Sequence, residues 1–273
     1  MNRELNNKKI LIVDNHPLIL MWMSELLKKE GHSVLTAEDG LSALAILKNW
    51  VPDIIFADLV MPNIDGRTLC QIIRKIPELK DVFIVILSAA GIEELERLSG
   101  IGADICIPKG RFSKMAPYIL NAIEESNKEP SKRLRKGEII FYNGIQPRQI
   151  TKELLSLKSH LESILRNLSE CVIELTPDFS IVFVNSSASS LIEQPEEKLL
   201  GTNFIELFSA NDRSRLRGLL TTVDKNPRKI GEDFPLMLNN KAVVLNVTPI
   251  MNNECSSIIV TIEEANKEEI QKV

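Results

Sequence analysis

The first 125 residues alternate between two apolar patterns. Short runs dense in β-branched residues occur at KILIV (9–13), SVLTA (33–37), DIIFA (53–57), VFIVIL (82–87) and DICI (104–107). Near-continuous apolarity over so few positions predicts strands buried on both faces. Between them apolar residues recur at helical spacing, with Leu18, Met21, Trp22, Leu26 and Leu27 assigned to one face and Leu41, Leu44, Ala45 and Leu47 to another. Gly31, Gly40, Gly66, Gly91 and Gly102 mark the breaks. Five strands alternating with five helices predict a parallel, doubly wound α/β sheet with right-handed crossovers. Ligands of such sheets bind beyond the carboxyl ends of the strands.

The pattern changes after residue 125. Residues 126–150 are polar and interrupted by Pro130, Gly137, Gly144 and Pro147, which suits a linker with one short strand at GEIIFY (137–142). Leu154, Leu157, Leu161, Ile164 and Leu168 then recur at alternating spacings of three and four. That seam fits a short coiled coil and fits equally a helix packed on its own domain. From residue 171 the period is two, and CVIEL and SIVFVN flank TPDF as a hairpin would. Helical pieces follow, then strand-like runs near KIGEDFPLML, KAVVLNVTPI and CSSIIVTIEE, a pattern of an α+β domain on an antiparallel sheet. The expected division is a first domain at 8–125, a linker at 126–150, a connecting helix at 151–170 and a second domain at 171–265.

Charge supports this division. The net charge of −4 resolves into −3 over residues 1–125, +5 over 126–160 and −6 over 161–273. The basic run KRLRK (132–136) has the chemistry to touch nucleic acid or anionic lipid. Without a helix-turn-helix or zinc pattern it reads as a solvated linker, so no nucleic-acid partner is expected. No apolar run approaches the ~20 residues that span a bilayer, and MNRELNNKK carries no signal-peptide core. Cys70, Cys106, Cys171 and Cys255 show no metal-type spacing and read as reduced thiols. A cytoplasmic protein with no membrane partner is the expectation.

Chemistry concentrates at predicted strand ends. Asp14 and Asn15 follow the first strand, Asp58 the third, Ser88 the fourth and Lys109 the fifth. A doubly wound sheet brings these ends to one edge. Two carboxylates there repel, and a hard cation such as Mg²⁺ relieves the repulsion while accepting amide and water oxygens. A carboxylate beside Mg²⁺ and a lysine is equipped to attack a phosphoryl group. Taken singly, Asp14 and Ser88 also suit helix caps, Lys109 a surface charge, and Asp65 of NIDG a turn or cap. His16, before Pro17, reads as a helix-start residue rather than a proton shuttle.

ILIVDNHPLIL, PDIIFADLVMPNIDG, VILSAA and ICIPKG, in this order, resemble the receiver domain of two-component response regulators over about 115 residues. The resemblance implies a flavodoxin-like, five-stranded parallel fold with Asp58 as phospho-acceptor for a sensor histidine kinase. It implies Mg²⁺ on Asp14 and Asp58 with the backbone carbonyl of Val60, and Ser88 and Lys109 holding the phosphoryl oxygens. Two departures stand out. Family members usually carry two adjacent acids where this chain has Asp14 and Asn15, so weaker Mg²⁺ binding is expected at the amide. Cys106 stands where the family often has an aromatic that turns inward on activation.

The stretch from about 160 to 263 resembles a PAS sensory domain, on ILRNLSECVIELTPDFSIVFVNSSASSLIEQPEEKLLGTNFIELF. The family places an antiparallel sheet around a pocket and often dimerises through the entering helix, which implies a homodimer through helix 151–168. The ligand of this pocket is left unassigned. No histidine follows His160, which argues against histidine-ligated haem. Phe204 in GTNF occupies the place of a photoactive cysteine. Cys171 and Cys255 read as core residues, and His160 as a residue flanking the seam and not a phospho-acceptor. The expected protein is a response regulator, not an enzyme, signalling through protein contacts. The alternatives are a degenerate, phosphate-independent scaffold or a fragment of a hybrid histidine kinase.

Overall fold

The computed structural model describes residues 7–89, 102–128, 138–139, 157, 160–225, 234–251 and 256–265, with backbone alone at 138–139, 223–225, 251 and 256. The expected helix near Ile92, KRLRK, residues 151–156, Cys255 and the chain end after Ala265 lie outside them. Two compact units divide at Leu157 and Lys158.

In the first unit β1 (Lys9–Val13), β2 (Ser33–Ala37), β3 (Ile54–Asp58), β4 (Phe83–Ser88) and β5 (Ile105–Pro108) pair in parallel in the order β2-β1-β3-β4-β5. This is the doubly wound arrangement expected, with the order reversing at β1. A sixth strand, β6 (Glu138–Ile139), adds to the β5 edge from within GEIIFY. The strands β1, β3, β4 and β5 are buried, as unbroken apolarity predicts. SVLTA departs from that reading. As the edge strand β2 it is mostly exposed, because only one neighbour covers it.

The helices are α1 (Pro17–Lys29), α2 (Gly40–Leu47), α3 (Gly66–Lys75) and α4 (Phe112–Ser126). The buried stripe of α1 is Leu20, Met23 and Leu27, with Trp22 and Leu26 half-buried. Leu18 and Met21, assigned to that stripe from spacing, are 55% and 57% exposed. A helix this apolar offers more than one stripe of the right period, and the sheet selects one. In α2 Ala43 is buried and Ala45 exposed. The α1 and α4 side chains Leu20, Met23, Met115 and Ile119 share one core with Ile10, Phe56, Val85 and Ile107. Trp22 also stacks on Phe112, with ring centroids 4.5 Å apart.

The second unit is the expected antiparallel sheet. Strands β7 (Cys171–Leu175), β8 (Ile181–Val184), β9 (Phe234–Leu238), β10 (Lys241–Met251) and β11 (Ser256–Glu264) order as β8-β7-β11-β10-β9. Asn239 and Asn240, with φ of 48° and 63°, close the β9–β10 hairpin, where asparagine tolerates positive φ best after glycine. A helix at 160–167 precedes the sheet, and α5 (Ser186–Ile192), α6 (Glu196–Leu199) and α7 (Ala210–Lys225) lie within the unit, with a 3₁₀ turn at Phe204–Leu207.

Asn185, from the VN pair of the motif, holds this unit's start together. Its buried amide Oδ1 accepts from Val172 N and Ala188 N at 3.1 and 3.0 Å. Its Nδ2 donates to Glu170 O at 2.7 Å and, at longer range, to Leu165 O and Leu168 O. One side chain thus caps α5, pairs with β7 and fastens the helix at 160–167 to the sheet.

Gly66 shows how closely α3 approaches the strand end. A Cβ there would lie 2.1 Å from the Asp58 carbonyl oxygen. Gly66→Ala should therefore destabilise the first unit by about 1–3 kcal/mol, read as a lowered urea midpoint. An unchanged midpoint would show that α3 can step back without cost.

Candidate functional site

Four strand ends converge as the sequence led us to expect. Asp14 follows β1, Asp58 ends β3, Ser88 ends β4, and Lys109 follows β5. Short backbone bonds fix the convergence: Asp14 N donates to Ala37 O, Leu59 N to Leu87 O, and Lys109 N to Ser88 O, at 3.1, 2.9 and 2.6 Å. The Lys109 ammonium lies 2.8 Å from Asp14 Oδ2 and 2.8 Å from Asp58 Oδ2. Asp14 is fully buried, and Asp58 and Ser88 nearly so.

The carboxylates differ in how they are held. Asp14 Oδ1 accepts from His16 N at 2.9 Å. Its Oδ2 has the Lys109 ion pair but no hydrogen bond of good geometry. Burial pushes the Asp58 carboxyl above its usual range; Lys109 pulls it down, the Asp14 charge pushes it up, and a hydrogen bond from the Val60 N–H pulls it down. That Val60 role was missed from sequence, because a backbone donor leaves no mark on residue type. Two carboxylates against one ammonium leave a buried excess of negative charge.

The caps separate from the site. Asp65 caps α3 through Thr68 N at 2.8 Å, and His16 is the N-cap of α1 with no side-chain cap bond. Asn15 is exposed beside buried Asp14. Cys70 and Cys106 are buried, and burial pushes both thiols up to about 12, so they are inert. Cys171 is half-buried rather than core. His160 is exposed.

The residues fit a hard divalent cation. The buried Asp14 Oδ2 lacks a hydrogen bond, and Asp14, Asp58 and Asn15 offer only oxygen donors. Among the described residues no group of three or more His, Cys, Asp or Glu is placed to hold a metal.

Folding raises the Asp58 carboxyl, so folding disfavours its charged form. Below the unfolded value of about 3.9 the group is neutral in both states; stability then falls as pH rises through the folded value. In chelator, Asp58→Asn should raise the thermal midpoint at pH 7, with the gain shrinking toward pH 4. A midpoint below wild type at pH 7 would mean that the Lys109 pair outweighs burial.

Residues 10–115 match the family model for the response regulator receiver domain, and residues 159–264 match that for the PAS fold. Protein PilG of Pseudomonas aeruginosa is 33% identical over 115 residues, 42% of this chain and 84% of that protein. The alkaline phosphatase synthesis transcriptional regulatory protein PhoP of Bacillus subtilis is 29% identical over 175 residues, 63% of this chain and 68% of the relative. The sensor histidine kinase RcsC of Salmonella typhi is 34% identical over 127 residues, 46% of this chain and 13% of the kinase. Of several further curated relatives the chain spans 59% or less. No described helix is long and apolar enough to cross a membrane. Strand order, the Asp14–Asp58–Lys109 cluster and these matches agree: the chain belongs to the response regulator receiver family, with a PAS domain following the receiver.

Proposed function

We propose that this chain is a cytoplasmic response regulator that takes a phosphoryl group onto Asp58 from a sensor histidine kinase and signals by protein contact. The observation that carries the reading is the Lys109 ammonium held 2.8 Å from both Asp14 and Asp58 at the strand ends. An Asp58 carboxylate oxygen bonds to phosphorus as the donor's phosphorus–nitrogen bond breaks, and the donor histidine leaves. Lys109 and Ser88 meet the phosphoryl oxygens, which gain their charge where these two residues sit. Mg²⁺, held by Asp14, Asp58, the Val60 carbonyl and more weakly by Asn15, would supply positive charge to those oxygens. The chain turns over no substrate of its own, and neither nucleic acid nor membrane is among its partners.

The donor must approach over the exposed rim, and Leu18 and Met21 lie exposed on the first turns of α1, just past Asp14. They give a protein donor apolar footing. In the PAS unit, Leu161 and Ile164 are 51% and 48% exposed, and Leu168 is 37% exposed at the same three-four spacing. Exposure favours the coiled-coil reading of the seam over packing on its own domain, and supports a homodimer through this helix. A second reading, a phosphate-independent scaffold, rests on Asn15.

Intact-mass analysis after incubation with acetyl phosphate tests the first reading. One phosphoryl adduct should form on the wild type with Mg²⁺, and none on Asp58→Asn. Asn15→Asp should lower the Mg²⁺ needed on the order of tenfold, because ligand charge sets affinity. Absence of an adduct on wild type at high Mg²⁺, with an adduct on Asn15→Asp, would favour the scaffold. For the dimer, Leu161→Glu with Ile164→Glu should convert the chain to a monomer in light scattering; a dimer that survives both changes must use another surface.

A further inference from the structure

The loop that leaves β3 carries Val60, whose N–H bonds to the Asp58 carboxyl. Val60 is 46% exposed, so burial of its own side chain does not hold it there. Its neighbours do. At the base of the loop Leu59 N donates to Leu87 O at 2.9 Å, and Gly66 N donates to Leu59 O at 3.2 Å. Met61 and Ile64 bury their side chains, while Pro62 and Asn63 between them stay exposed.

At its far end the loop is fastened to the start of α2. Asn63 adopts a φ of 59°, which asparagine tolerates better than most residues. Its Nδ2 donates to Asp39 Oδ2. The other oxygen of that buried carboxylate, Oδ1, accepts from Ser42 N at 2.7 Å and caps α2. Beside this bond Gly40 N donates to Ile64 O at 3.1 Å, and a Cβ on Gly40 would stand 2.3 Å from that oxygen. Asp39 is therefore fixed from the helix side by one oxygen and holds the loop with the other.

We infer that Asn63 and Asp39 are positioning residues for the phospho-acceptor site, acting through the backbone of Val60. The inference rests on the metal and phospho-acceptor reading above. The Val60 torsions set two groups at once: the N–H on Asp58 and the carbonyl that would take the metal. Strand β3 fixes the loop on one side of Val60, and the Asn63–Asp39 bond fixes it on the other. Asn15 offers an amide in place of a second adjacent carboxylate, so fewer charges attract the cation. A neutral carbonyl already held in place then matters more, because no ordering of the loop is left to be done on binding.

The test uses the full chain, with Mn²⁺ as the probe of the hard-cation site. Free Mn²⁺ is counted by electron paramagnetic resonance, and Mg²⁺ should compete it off. Asn63→Gly keeps the positive φ and removes the amide; it should weaken Mn²⁺ binding roughly tenfold, the scale of a lost outer-shell partner. Asp39→Asn sets two amide donors against each other and should weaken binding likewise. Asp39→Asn combined with Asn63→Asp restores the bond with donor and acceptor exchanged, and should recover wild-type affinity. Ile119→Val, which lowers the urea midpoint from the core, should leave Mn²⁺ affinity unchanged. In labelling by acetyl phosphate, Asn63→Gly should raise the Mg²⁺ concentration for half-maximal rate and keep the rate at saturating Mg²⁺. Equal Mn²⁺ affinity in wild type and Asn63→Gly overturns this inference alone, as does a loss in Ile119→Val of the same size or no recovery in the exchanged pair. A wild type with no Mn²⁺ affinity removes the metal reading, and this inference with it.

Discussion

The receiver depends on one half-buried ammonium between two buried carboxylates. Lys109 reaches Asp14 and Asp58 at equal distance, and the backbone bond from its own N–H to Ser88 O fixes where it starts. Each carboxylate alone would be costly at that depth. Together with one lysine they are tolerable but remain short of positive charge. The fold therefore presents a site short of positive charge, which a hard cation would supply.

That local imbalance is tied to the rest of the unit through strands and not through loops alone. Gly66 lets α3 begin against the Asp58 carbonyl, so the backbone of Asp58 is wedged from behind. Ser88 ends β4 opposite Pro108, the last residue of β5, and Lys109 follows. Pro108 closes β5 just before the lysine. Cys106, two residues before Pro108, is buried and inert.

The PAS unit has a comparable keystone of neutral polarity. Asn185 spends both sides of its amide on the backbone of three elements, and a substitution that removes either side strands buried groups. Because its Nδ2 donates to carbonyls at the end of the helix at 160–167, the apolar stripe on that helix is positioned by the core of its domain. A change of packing at one would be felt at the other.

Much was legible without coordinates. Unbroken apolar runs marked the buried strands, because a strand covered on both faces has no polar period. Asp14, Asp58, Ser88 and Lys109 could be placed together, because strand ends in a parallel sheet share an edge whatever their separation in sequence. The β7–β8 hairpin followed from period two around TPDF. Other features were decided only by tertiary structure. Spacing on α1 allowed several faces, and the sheet buried Leu20, Met23 and Leu27 while leaving Leu18 and Met21 in solvent. SVLTA reads like any inner strand, yet its place at the sheet's end exposes it. The Val60 N–H on Asp58 and the pairing of β6 with β5 are backbone interactions, to which side-chain identity is blind. Sequence determines which residues prefer burial and where charge can gather; which face is buried, and which edge is covered, depends on neighbours that only folding brings together.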